Sequence, residues 1–246
     1  MKRSSAELKA MARESLEGRY TLAVELVIAY FAINFFLYSI NLRFFSDFLS
    51  FNLISLLGNF LIFLLSMMIS AGLSYCFLAM TRGWVIRISD LFYAFRYQAD
   101  KALILSLIYS VIFLLLEFPL SSILSLQLSE ALSSHVFLAL LLVFASIACF
   151  IVAVICMLAL SMCYYLYIDH PEMNIRQLLA ASFQIMKGNK IRLFYIYISF
   201  FGLLLLSVLT CFIGILWVIP YISCTTAMFY RELNGELPPK MDTVEF

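Results

Sequence analysis

Two carboxylates stand inside apolar runs. Glu25 lies five residues into the run that opens at Tyr20, and Glu117 stands just before Phe118 and Pro119. An ionisable side chain in hydrocarbon is costly, so such a residue is a candidate for binding a cation or a proton. Both sit close enough to the ends of their runs to be hydrated or paired, Glu117 with Arg43 for instance. Asn34 and Asn59 are further polar groups within the first and second runs, so the candidate intramembrane polar site is Glu25, Asn34, Asn59 and Glu117.

The other reactive side chains fit packing and turns better than chemistry. Cys149, Cys156 and Cys163 recur every seventh residue. Two helical turns separate neighbours by about 10.5 Å, too far for one tetrahedral ion with bonds near about 2.3 Å. With Ala145, Ala153 and Ala159 they form a stripe of small residues that lets helices approach closely. Cys76, Cys211 and Cys224 also lie in apolar runs, so disulfides are not expected. Asp169, His170 and Glu172 crowd around Pro171, where the proline ends a helix and the polar residues form the turn. His135 is the second of only two histidines, and no phosphate-binding or dinucleotide fingerprint is present. No catalytic, cofactor-binding or metal-ligating residue is therefore expected, and an enzyme is the least favoured class.

The elements that carry these residues are set by composition. Soluble domains are about half apolar and about a quarter charged, whereas these 246 residues are 64% hydrophobic and 13% charged. The mean hydropathy is +1.01. The runs 20–40, 53–80, 102–124, 136–167 and 193–230 each exceed the roughly 20 residues that cross a bilayer. As one helix the last would reach about 57 Å, against a hydrocarbon core of about 30 Å. It is expected to fold back near Cys211 to Gly214, with Thr210, Gly214 and Pro220 as interruptions. That gives an all-α polytopic protein of six spans; five spans with an external tail is the alternative. The runs 53–80 and 136–167 are longer than a bilayer requires and should tilt or project from it. Tyr164, Tyr165 and Tyr167 match an interfacial aromatic belt.

Lys and Arg cluster before the first run, in 81–101, in 168–192 and in the tail, and the segment 41–52 holds only Arg43. The positive-inside rule then places both termini in the cytoplasm. A net charge of +1 carries no pointer to nucleic acid, and none is expected as a partner.

Short amphipathic stretches precede the runs. Ser4 and Glu7 form a capping-box pattern, Leu8, Met11, Ala12 and Leu16 make an apolar stripe, and Gly18 closes it. Asn174 and Gln177 repeat the start; Ile175, Leu178, Leu179, Phe183 and Met186 repeat the stripe, and Gly188 repeats the stop. A weaker copy, Ile88, Leu91, Phe92 and Phe95, lacks the glycine. The chain reads as one integral domain, 1–246, of three units of amphipathic helix plus two-span hairpin. These cover about 1–80, 85–167 and 173–230, with a tail at 231–246. Two placements fit the short helices: in the headgroup layer, or packed on the spans. Arg19, Lys187, Lys190 and Arg192 are the candidate headgroup contacts.

The segments ELKAMARESLEGRY, MKGNKIRLF, GILWVIPY and FYREL, in this order, resemble the bacterial multi-pass membrane proteins grouped as domain of unknown function 975. The likeness covers essentially the whole chain. It implies a six-span plasma-membrane protein without an established activity, and supplies no site residues. The expected function is a non-enzymatic scaffold, accessory subunit or membrane-organising factor. Its partners would be the lipid bilayer and a membrane protein or a second copy. The alternative is a transporter, channel or lipid-handling protein. It would use Glu25, Glu117 and the polar face Ser55, Asn59, Ser66, Ser70 and Ser74 of the second run.

Overall fold

The computed structural model of the chain describes residues 2–44, 53–127, 136–210 and 212–238, with side chains over 2–40, 57–113, 143–210 and 212–238. Every regular element among the described residues is helical. Ser5–Leu16 is α1, Tyr20–Phe44 α2 and Leu53–Thr81 α3; a 3-10 helix at Ile88–Phe92 leads into α4, Tyr93–Arg96, and α5, Ala99–Gln127. Val136–Leu160 is α6, Cys163–Asp169 α7, Ile175–Ile185 α8, Lys190–Ile198 α9, Phe201–Leu209 α10 and Ile215–Leu233 α11. Among the described residues, four segments are long and apolar enough to cross a membrane: Tyr20–Ile40, Leu57–Thr81, Val143–Asp169 and Lys190–Leu209.

Two of these four carry a break that hydropathy conceals. Helix α6 stops at Leu160 and α7 resumes at Cys163; α9 stops at Ile198 and α10 resumes at Phe201. Carbonyls freed by a break must find donors when water is scarce. Ser182 donates to the Ala159 carbonyl at 2.8 Å, and the Tyr109 hydroxyl donates to Leu160. At the second break the Lys9 ammonium donates to Ser199 at 3.1 Å and lies 4.0 Å from the centre of the Phe200 ring. Pro220, expected as an interruption, instead lies inside α11. The chain turns before it, between Leu209 and Ile215, with Phe212 at φ 66°.

Each short element packs against a longer helical segment. Helix α1 packs on α11, the 3-10 helix and α4 pack on α3, and α8 packs on α7. Leu8, Ala12 and Leu16 are fully buried, as are Leu178, Ser182 and Met186. The stripe of α1 therefore faces protein, as does that of α8 except for Phe183, which is 47% exposed. The third stretch differs from expectation: it is a 3-10 turn, and only Leu91 of its predicted stripe is buried, with Ile88, Phe92 and Phe95 exposed. Close approach to α3 explains the geometry. A β-carbon on Gly72 would overlap the Leu91 carbonyl, and Tyr93 stacks on Tyr75 with ring centres 4.0 Å apart.

The covered helix ends form the core. Cys76 to Met80, Met162 to Tyr167 and Cys224 to Tyr230 are almost entirely buried. Tyr164, Tyr165 and Tyr167 belong to this interior and not to an aromatic belt. Tyr164 stacks on Tyr109, Tyr165 stacks on Tyr230, and Tyr167 donates to the Tyr97 carbonyl. The small-residue stripe of the fourth run packs only over part of its length: Ala153, Ala159 and Cys163 are buried, and Ala145 is exposed.

Candidate functional site

The ends of α3, α7 and α11 meet in a network of ion pairs. Arg82 follows α3 and addresses both oxygens of Asp169 through Nη1 at 2.7 Å and Nη2 at 2.6 Å. Its Nε and Nη2 also reach Glu236, at 3.1 and 2.6 Å. Arg231 donates to Glu236 at 3.2 Å and to the Thr81 carbonyl at 2.5 Å, and the Tyr230 hydroxyl donates to Asp169 at 2.8 Å. The planar guanidinium suits two carboxylates at once because its five donors lie in a fixed fork.

Local chain chemistry puts these groups there. After α3, Gly83 takes φ 78°, its N–H bonds to Met80 and the Trp84 N–H bonds to Ala79. After α11, Gly235 takes φ 73°, its N–H bonds to Glu232 and the Glu236 N–H bonds to Arg231. Both are Schellman endings, which turn the chain sharply and need a left-handed residue. The first aims Arg82 at the core and the second folds Glu236 back onto it.

Burial alone would disfavour the Arg82 charge, yet Asp169 and Glu236 outweigh it and hold the guanidinium above its ordinary value. For Glu236, burial pushes the carboxyl up, and Arg82, Asn234 and Arg231 outweigh that and leave it below the usual range. Arg82 and Glu236 are therefore both charged at neutral pH. The cluster can fasten three helices; it presents no free nucleophile or base.

A second network ties the N-terminal segment to the same end. Glu232 accepts from Arg192 at 2.8 Å and from the Arg3 N–H at 2.6 Å, Arg192 donates to the Arg3 carbonyl at 2.8 Å, and Lys2 donates to Asn189 at 2.7 Å.

Of the predicted polar site, Glu25 and Asn34 are not brought together. Glu25 is exposed on α2 and Asn34 donates to the Tyr30 carbonyl of its own helix. Nine residues at about 100° each place the two on opposite faces. Asn59 is half-buried and engaged on α3. The side chains of Glu117, Arg43 and Ser55 lie outside the described residues. Ser66 and Ser74 donate to carbonyls of their own helix, and Ser70 is half-buried. Of the headgroup candidates, Arg192 is paired with Glu232, and Arg19 reaches the Gly83 and Trp84 carbonyls at 3.3 Å each. Lys190 lies 5.8 Å from the centre of the Phe183 ring, and Lys187 is exposed. Around Pro171, His170 pairs with Glu172 at 3.1 Å, whereas Asp169 belongs to the ion network and not to the turn.

Sequence reasoning missed this network, although a signal existed. Cys76, Cys163 and Cys224 are each followed six residues later by Arg82, Asp169 and Tyr230, the three groups that converge. All three cysteines are buried. Cys163 donates to the Leu178 carbonyl of α8 at 4.0 Å, and Cys76 and Cys224 are fully buried. The missed cue is a repeated offset, with three different residue types at the repeated place.

Helices long and apolar enough to cross a membrane, joined at one end by paired charges, define an all-helical class of protein with candidate membrane spans. The chain belongs to the family described as protein of unknown function (DUF975), whose model matches residues 1–236 and so takes in every member of the ion network. Comparison with curated proteins and with solved structures finds no match.

Proposed function

We propose that the chain is a six-span integral protein of a bacterial plasma membrane, with both termini cytoplasmic, that works as a non-enzymatic scaffold, accessory subunit or membrane-organising factor. The carrying observation is the Arg82, Asp169 and Glu236 network, which spends its charged groups on joining helix ends. In the three-unit reading, each amphipathic element lies on the closing helix of the unit before it. The first lies on the last, since α1 covers α11. A closed order of this kind supports a rigid body whose working surface is its periphery. That periphery is apolar: Phe35, Phe36, Phe144 and Leu209 are among the most exposed side chains of the long helices.

Purification in mild detergent tests the reading. A stoichiometric membrane partner or a defined oligomer is expected, and a persistent lone monomer would overturn it. Reporter fusions at both termini test the topology, with cytoplasmic signals expected at each.

A further inference from the structure

The segment between α3 and α5 exposes an apolar face. Trp84, Val85, Ile88, Phe92, Phe95 and Tyr97 all lie outward, Val85 at 91% exposure. The segment does not cap the end of the bundle but lies on its flank. Leu91 touches α3 at Gly72 and Tyr93 touches it at Tyr75. These positions are nine and six residues before Thr81, thus about 13 and about 9 Å short of that end along the helix axis. The apolar face continues onto α5, where Leu103, Ile104 and Leu107 are also exposed. Exposed Arg87 and Arg96 stand within the segment, and Asp90 is occupied in accepting the Arg87 N–H at 2.8 Å.

The geometry points to an in-plane phospholipid anchor at residues 84–97: the aromatic and aliphatic side chains enter the acyl boundary and Arg87 and Arg96 bind lipid phosphates. An apolar face flanked by cations, with a Trp and a Tyr at its ends, matches the headgroup boundary, where amphipathic rings concentrate and basic chains reach outward. Leu8, Ala12 and Leu16 of α1 and Leu178 and Met186 of α8 are fully buried; this element buries Ile86, Leu91 and Ala94, packs Tyr93 on Tyr75 and leaves its other apolar side chains exposed. The anchor rests on the membrane-embedded reading above and adds the ligand class.

The chain has two tryptophans, so Trp217→Phe leaves Trp84 as the sole reporter. The full-length variant, reconstituted in phosphatidylcholine and phosphatidylglycerol vesicles, is measured with nitroxides placed high on the acyl chain or near its end. Blue-shifted emission, quenched more strongly by the upper nitroxide and resistant to aqueous iodide, is expected. Iodide quenching equal to that of free tryptophan would overturn the anchor by placing the face in water. Resistance to both quenchers would also overturn it, by placing protein, such as a second copy, over the face. Replacing Arg87 and Arg96 by Gln should weaken quenching by the upper nitroxide; unchanged quenching removes the phosphate contacts. Trp84→Phe, which leaves Trp217, separates the two readings. If lipid nitroxides fail to quench Trp217 the embedded reading itself fails; if they quench Trp217 and not Trp84, only the anchor fails.

Discussion

Arg82 and Asp169, 87 residues apart in sequence, are joined by two parallel hydrogen bonds of 2.7 and 2.6 Å. Their side chains are 12% and 14% exposed. The pair fixes the end of α3 against the end of α7, and Tyr230 adds α11 through the same carboxylate.

Removing one partner leaves an uncompensated charge in a poorly hydrated place, which costs about 3–5 kcal/mol for buried pairs. Asp169→Asn and Arg82→Gln should each lower thermal stability in detergent by an amount of that order. The double variant should lose less than the sum, because the two residues are coupled. Arg82→Lys should also be destabilising, since an ammonium cannot serve both carboxylates in a fork.

Gly72→Ala forces a β-carbon against the Leu91 carbonyl, a backbone atom with little freedom to yield. A loss of about 1–3 kcal/mol is expected from such overpacking, with faster hydrogen exchange over residues 86–97. Gly202→Ala meets open space and should be neutral or stabilising by up to about 1 kcal/mol, measured in the same unfolding assay.

Gly18 and Gly188 hold φ 72° and 76° at the corners between a short helix and the next long one. Alanine at either has room but the wrong backbone preference, at a cost of roughly 1–2 kcal/mol. Gln98 takes φ 49° at the corresponding corner before α5. Gln98→Gly should relieve that strain while losing the bond from its amide to the Pro171 carbonyl, so its unfolding midpoint should move less than that of either alanine variant.

The carboxyl of Glu236 is held below its ordinary value of 4.5. Its contribution is therefore present above about pH 4.5 and is lost as pH falls through the lower folded value. Arg82 stays charged throughout that range. Stability measured against pH should be level near neutrality and fall below about pH 4.5. Glu236→Gln should be less stable at neutral pH and show a shallower acid limb.

Glu25 is exposed on α2. Glu25→Gln should change thermal stability by no more than about 0.5 kcal/mol, as surface substitutions commonly do. A larger loss would show that the carboxylate has a structural partner.

The amino-acid sequence by itself determined the helical class, the long apolar runs, the capping box of Ser4 and Glu7, and the left-handed corners at Gly18 and Gly188. Those features depend on hydropathy, on a few neighbouring side chains, and on a glycine's freedom at positive φ, all of which are local. It also carried the family, through ELKAMARESLEGRY and MKGNKIRLF. Which faces look inward was decided only by tertiary structure. Tyr164, Tyr165 and Tyr167 have the composition of an interfacial belt, yet Tyr109 of α5, Tyr230 of α11 and the Tyr97 carbonyl enclose them. The breaks at Leu160 and Ile198 leave no hydropathy signal, because the donors that sustain them, Ser182, Tyr109 and Lys9, come from other helices. Asp169 reads locally as a turn residue after a long apolar helix. Only the packing of three distant helix ends supplies Arg82 and Tyr230 as its partners.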